Sequence, residues 1–463
     1  MREMRIVFKK LLFIVILMAM NLPSTGQDWQ QWRGPNRDGI LPNFDAPETY
    51  PERLNIRWSI DAGPGVSSPI VGNGKVFLMT RNGDEELVSC YNFEDGALAW
   101  QDRYPAKFVA NAQANIPRWF PASKGKGPFS TPILYENRLY TLGIDRVFSC
   151  YNAESGKALW RHHYFPVEIP DTFTYECPPC GCGEDGKVFE QAGTCSACNM
   201  AFSARGLETS ASSIGNYYGS VSSPIIEGEL VIIHVGNNEH GSVIAHDRIS
   251  GEKQWEWKGP AMASSSPVIS EIDGARQFIS MTRTFVFAVS PDTGELLWEF
   301  PIENNAQIIT PIVAGNLVIF AEYRGPLRAL QIKKHGANWS AAELWTTSDL
   351  TVWTSTPVYD NQLLYGFFYS QKGQFASIDV KTGNIIWKSE GRQGAAASLV
   401  SGGNHLFALK EDGQLVIMAK NTASFEAVRT YTVANSPTWT YPVISGNRFL
   451  IKDESALTLW ETN

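Results

Sequence analysis

The sequence predicts an all-β chain folded as an eight-bladed β-propeller of four-stranded antiparallel blades, with one small cysteine-rich insertion. Three observations predict it. A module of about 45 residues recurs down the chain, a Trp returns at one fixed place in it, and its turn signals leave room only for short strands.

Each module opens on small hydroxyl residues and a Pro. SSPIV (67–71), STPIL (130–134), SSPII (222–226), SSPVI (265–269), ITPIV (309–313), STPVY (355–359) and TYPVI (440–444) are copies, and ASLVS (397–401) is a degenerate one. The steps from Pro224 to Pro267, Pro311 and Pro357 are 43, 44 and 46 residues, the length of four strands and three turns. In the first module the start is followed by the GNGK turn (72–75), strand VFLMT, strand LVSCYN, the EDG turn (94–96) and Trp100. Trp160, Trp255, Trp298, Trp345 and Trp387 recur at the same place. A four-stranded blade has two apolar faces, and stacking in a ring covers both, so these indoles read as blade-to-blade core.

The eighth copy stops one strand short, running only from Thr440 to Trp460 before the chain ends. NIRWSID (55–61) is a lone Trp-bearing strand ahead of the first start, and it is expected to close blade eight as its outer strand. The expected organisation is a signal peptide at 1–26, an N-terminal strap at 27–54 and the propeller at 55–463, with an inserted segment at 161–219.

The leader has Lys9 and Lys10, an apolar run from Leu11 to Met20, and small residues Ser24 and Gly26 before Gln27. It reads as a cleaved secretory signal, the run being too short to span a bilayer. Without 1–26, which carries four basic and one acidic side chains, the net charge is −11. That balance argues against nucleic acid or an anionic membrane surface as a partner, both of which demand clustered positive charge.

The repeats resemble the pyrroloquinoline-quinone-like propeller family: the SSPIV-type starts, the PDTG (291–294) and VKTG (380–383) turns and the terminal Trp carry the likeness over nearly the whole mature chain. WRGPNRDG (32–39) is similar to an N-terminal signature of secreted bacterial members. The resemblance implies either a non-catalytic envelope propeller of the BamB type or a quinoprotein dehydrogenase. WRGPNRDG itself is expected to be a strap whose Trp32 packs on a propeller face, leaving two arginines able to meet an anionic partner.

Two connections, Gln101 to Pro128 and Arg161 to Gly219, far exceed the others. Both join an outer strand to the next inner strand, so both are expected on the face that also receives the loops between second and third strands. Those loops carry Arg81, Arg146, His240, Arg283 and Arg324, the candidate binding residues of a capped face. The competing reading is that these are solvated loop tips.

The second insertion holds the sharpest chemical signal. Cys177 and Cys180 form one CxxC and Cys195 and Cys198 another, fourteen residues apart, within a module at 177–200. Paired CxxC turns give the four thiolates that structural zinc prefers, while disulfides are the alternative in an oxidising compartment. Cys182 is a fifth sulfur and a possible ligand. The segment is similar to a heavy-metal-binding module with the pattern CPxH followed by GxCPxCGM; Cys180 stands at its His and Asn199 at its second Gly, which keeps Cu(I) open beside zinc. Cys90 and Cys150 share a repeat position filled elsewhere by Ala245, Ala288 and Ala329, and read as buried core thiols.

The resulting expectation is an exported, monomeric, non-catalytic scaffold that binds an envelope protein or a small ligand on its insertion-bearing face. No adjacent cysteines, no evident calcium and base set, no nucleophile elbow and no HExxH support catalysis. A quinone-dependent alcohol or aldose dehydrogenase, with pyrroloquinoline quinone and calcium, is the alternative.

Overall fold

The computed structural model describes residues 28–47, 49–106, 127–166, 174–177, 181–204, 219–237, 239–303, 309–420 and 423–462. The leader at 1–26 and Cys180 lie outside these residues. Among the described residues no helix is long and apolar enough to cross a membrane.

Eight four-stranded antiparallel blades form the ring. Seven are continuous in sequence, at 70–105, 133–163, 225–260, 268–301, 312–351, 358–388 and 397–432. The eighth joins the two ends of the propeller: Asn55–Asp61 pairs antiparallel with Ala456–Glu461, setting Trp58 opposite Leu459. The predicted closure is therefore the observed one, and it removes the free edges an open ring would carry.

At five of the eight junctions the recurring Trp locks one blade to the next. Trp58 packs on Gly96, Trp100 on Gly156, Trp160 on Gly251, Trp255 on Gly294 and Trp345 on Gly383, in each case the turn glycine of the following blade. A Cβ on Gly156 would lie 2.5 Å from the Trp100 ring, so the indole needs a residue without a side chain there. The Nε1 atoms of Trp58, Trp100, Trp255 and Trp345 donate to Phe93, Ala153, Pro291 and Val380 carbonyls of the same turns. A β-bulge falls at this point in the outer strand pair of every blade, adding the local twist that swings the ring toward its neighbour.

The same geometry explains the small-residue slot. Cys90, Cys150, Ala245, Ala288 and Ala329 lie directly across the outer strand pair from Trp100, Trp160, Trp255, Trp298 and Trp345. A larger residue would displace the indole from the face it shares with the next blade. Both thiols are fully buried, and burial pushes Cys90 up to about 12 and Cys150 up to about 11.

The hydroxyl residues of the module starts form a belt around the axis. The amide of Ser68 donates to Thr131 Oγ1, Thr131 to Ser223 Oγ, Ser223 to Ser266 Oγ, Thr310 to Thr356 Oγ1 and Tyr441 to Ser68 Oγ. Each link joins one blade to the next and adds about 1 kcal/mol. The link into the degenerate seventh start runs the other way, from the Ala397 amide to Ser355 Oγ.

Candidate functional site: the sealed channel and the cysteine cluster

Every blade turns the free edge of its innermost strand toward the axis, and buried peptide groups left unpaired there would be costly. The chain answers with its own N-terminal segment. Trp29 exchanges backbone bonds with Val71 of blade one, and the Gln30 carbonyl accepts the Leu134 amide of blade two. Arg37 reaches blades three and four: Nη1 donates to the Pro224 carbonyl at 2.7 Å, Nη2 to Ser223 at 3.2 Å and Nε to Pro267 at 3.1 Å. Trp32 Nε1 donates to Thr310 Oγ1 of blade five, and Arg33 Nη2 to the Pro357 carbonyl of blade six at 2.8 Å. Ile40–Leu41 adds a parallel fifth strand to blade seven, and the Trp32 ring meets Tyr441 of blade eight edge-on at 4.8 Å.

One short segment that touches the innermost strand of all eight blades must lie across the axis. WRGPNRDG is thus a channel plug, which narrows the expectation that Trp32 packs on a propeller face: the indole meets Thr310 of blade five and Tyr441 of blade eight. Its backbone contacts fall beside the turns between first and second strands, so it enters from the face opposite the long insertions. The local conformation follows from the motif. Arg33, Gly34, Arg37 and Gly39 all take left-handed backbone angles, and a Cβ on Gly34 would strike the Trp29 ring at 2.9 Å.

The two arginines are also corrected: both are buried, and the partners described are mainly carbonyls of the chain itself. Burial, with the Arg33 charge beside it, pushes Arg37 down to about 9, so it stays a cation at neutral pH. Carbonyl dipoles suit a guanidinium here because its planar fork distributes donors over several blades at once.

On the insertion-bearing face the five candidate residues lie at strand ends or loops of five successive blades rather than in one cluster. Arg81 donates to the Gly83 and Ala106 carbonyls of its own blade. Arg146 pairs with Asp145 at 3.1 Å and donates to the Gly236 carbonyl at 3.4 Å. Arg324 lies over the Tyr323 and Tyr369 rings at 5.2 and 5.0 Å, Arg283 is half-buried, and His240 is exposed.

Sequence reasoning missed three buried charges on this face. Glu86 accepts bonds from Tyr104 Oη at 2.8 Å and the Ile144 amide at 2.9 Å, and Glu411 from the amides of Ala395 and Ala396. Burial holds both carboxyls above their usual range. Lys452 donates to the Gly65, Asp453 and Glu454 carbonyls, and burial lowers it to about 8. Each lies near a strand end, and its partners come from loops and strands that only the fold brings beside it.

In the second insertion, Tyr175–Glu176 pairs with both Val188–Phe189 and Ser203–Ala204 as a three-stranded sheet. Cys177, Cys182, Cys195 and Cys198 converge, their sulfurs all within 4.8 Å of one another. The Cys177–Cys182, Cys177–Cys198 and Cys182–Cys195 separations are 3.7, 3.7 and 3.8 Å. These are far longer than a disulfide of about 2.05 Å. A tetrahedral ion with bonds of about 2.3 Å to sulfur demands sulfur edges of about 3.8 Å, so the set fits a metal. Burial alone would raise the Cys195 thiol, but the Cys198 and Ala197 amides and the neighbouring sulfurs bring it down to about 7. Cys182, the possible fifth ligand, is thus inside the described cluster.

A Trp-locked eight-bladed ring plugged by its own N-terminal segment defines the class: a propeller of pyrroloquinoline-quinone-type repeats. The family described as outer membrane protein assembly factor BamB matches residues 29–166 and 217–365, and the chain belongs to it. The match begins at Trp29, taking in the plug, and steps over the cysteine insertion. BamB of Yersinia pestis is 23% identical over 241 residues, covering 46% of this chain and 58% of that protein. The chain thus aligns with little more than half the length of that curated relative.

Among solved structures, BamB from Moraxella catarrhalis aligns with a TM-score of 0.54 at 15% identity, over 89% of this chain and 98% of that one. Quinohemoprotein alcohol dehydrogenase from Comamonas testosteroni aligns at 0.63 and 12% identity, over 96% and 82%. Both likenesses are of fold.

Proposed function

We propose that this protein is an exported, non-catalytic scaffold of the cell envelope that docks a partner on its insertion-bearing face. The observation that carries the reading is the plug. The axis of the ring, where a propeller can enclose a small molecule, is filled by residues 29–41, whose backbone and side chains are spent on all eight blades. Recognition is left to the rim, and the two long connections enlarge one rim only. Membership of the assembly-factor family supports an envelope protein as partner, and the cluster of thiolates supports a structural zinc in the insertion.

The higher structural similarity to the alcohol dehydrogenase favours a second reading, a quinone-dependent dehydrogenase. Among the described residues the buried carboxyls of this face, Glu86 and Glu411, are committed to backbone amides and Tyr104, which supports the scaffold over a calcium and base set. Arg81 and Arg146 are likewise held by their own loops and neighbours.

The test compares cross-linked capture from envelope extract by the full chain and by a variant lacking 101–128, alongside dye reduction with pyrroloquinoline quinone, calcium and alcohols or aldoses. A defined envelope protein captured only by the full chain is expected, without turnover. Reproducible turnover refutes the scaffold, and capture unaffected by the deletion refutes the docking face.

A further inference from the structure

The spacing of the cysteines pairs 177 with 180 and 195 with 198. Among the described residues four sulfurs converge, and we propose that one zinc ion is held by Cys177, Cys182, Cys195 and Cys198, with Cys182 as the fourth ligand. This rests on the zinc reading above and adds which sulfurs bind and what the ion does for the insertion.

Two separate observations single out Cys182. Its sulfur stands 3.7 Å from that of Cys177 and 3.8 Å from that of Cys195, both of them edges of the tetrahedron a zinc ion needs. Its local backbone also has the form of a metal-binding turn: the Glu184 amide donates to Cys182 Sγ at 3.4 Å, and the Asp185 amide returns to the Cys182 carbonyl at 3.1 Å. Cys195 is built the same way. The Asn199 amide returns to its carbonyl at 2.8 Å, and Asn199 takes the left-handed angle that completes the turn.

Four protein thiolates leave no open coordination position, so the site is structural. The metal is also the core of its module. None of the described residues between 174 and 204 belongs to the apolar clusters of the propeller, and the described packing inside the module is the Phe189–Phe202 stack at 3.9 Å with buried Met200. So small a sheet cannot bury enough apolar surface to fold unaided, and the metal–sulfur bonds supply the missing free energy. The insertion is therefore ordered only when loaded, and its availability as a docking element follows zinc occupancy while the ring stays folded.

Full-length protein, Cys182→Ser and Cys180→Ser are purified with zinc, then analysed for metal per chain and, after exchange, for cobalt–thiolate absorption. The parent and Cys180→Ser are expected to hold one metal with four-thiolate absorption, and Cys182→Ser to lose the metal or the full thiolate band. Thermal unfolding of the propeller should be the same in all three, while proteolysis within 167–218 becomes at least tenfold faster in Cys182→Ser and in chelator-treated parent. Loss of metal in Cys180→Ser with retention in Cys182→Ser overturns the ligand assignment but leaves the zinc reading standing. A parent that binds no zinc or cobalt refutes that reading itself. Unchanged proteolysis on chelation overturns the dependence of the insertion on metal.

Discussion

Replacing Arg37 with Ala tests whether the plug closes the ring energetically as well as geometrically. The guanidinium donates to three buried carbonyls on blades three and four, Ser223, Pro224 and Pro267. Its removal strands all three, and an unsatisfied buried polar group costs about 1–3 kcal/mol. Releasing a buried cation from its desolvation cost offsets part of this. Three stranded carbonyls less the relieved desolvation leave a net destabilisation of about 2–5 kcal/mol. Equilibrium urea unfolding, followed by Trp fluorescence, is the assay. Arg57→Ala is the comparison, because the Arg57–Glu94 pair is similarly short at 2.8 Å but has side chains 35% and 56% exposed. It should cost under about 1 kcal/mol. Arg37→Lys keeps the charge but loses the fork, and should fall between the two. If Arg37→Ala costs no more than Arg57→Ala, the plug is a passenger in the channel and the argument from carbonyl satisfaction fails.

Acid should weaken the fold through two histidines. Burial lowers His234 to about 3 and His246 to about 4, both below the unfolded value of about 6.5, so each stabilises the fold above that value and the contribution is lost as pH falls toward 4. The expected slope is about 1.4 kcal/mol per pH unit for each ring, against the opposite trend of the raised Glu86 and Glu411. His234→Gln, which keeps a partner for Ser280 Oγ, should flatten the measured pH dependence between 6.5 and 4.5; an unchanged slope refutes the assignment. The Trp lock makes a separate prediction. Gly156→Ala and Gly74→Ala both place a side chain on a left-handed residue, but only the first meets an indole, since a Cβ added at Gly74 would have no atom within 4 Å. Gly74→Ala should cost about 1–2 kcal/mol and Gly156→Ala about 1–3 kcal/mol more, read from denaturation midpoints; equal losses would show that Trp100 does not lock blade one to blade two.

The number of blades, the closing strand and the place of every locking Trp were legible in the sequence, because each is a local signal repeated at a regular step. Cys90 and Cys150 were legible as core for the same reason, since Ala245 and Ala288 show what the slot accepts. The cysteine insertion was visible as chemistry, but spacing alone favoured Cys180, whereas the fold brings Cys182 to within 3.8 Å of its partners. WRGPNRDG shows the boundary most sharply. Its glycines and arginines announce tight turns and two charges, while the partners of those charges lie 230 positions away at Pro267 and 324 at Pro357. The chain itself determined the ring, because strand period, turn chemistry and a recurring indole are written within each module. Only the tertiary structure decided that the ring is plugged and which thiolates converge, because those facts depend on backbone edges and sulfurs that become neighbours after all eight blades have closed.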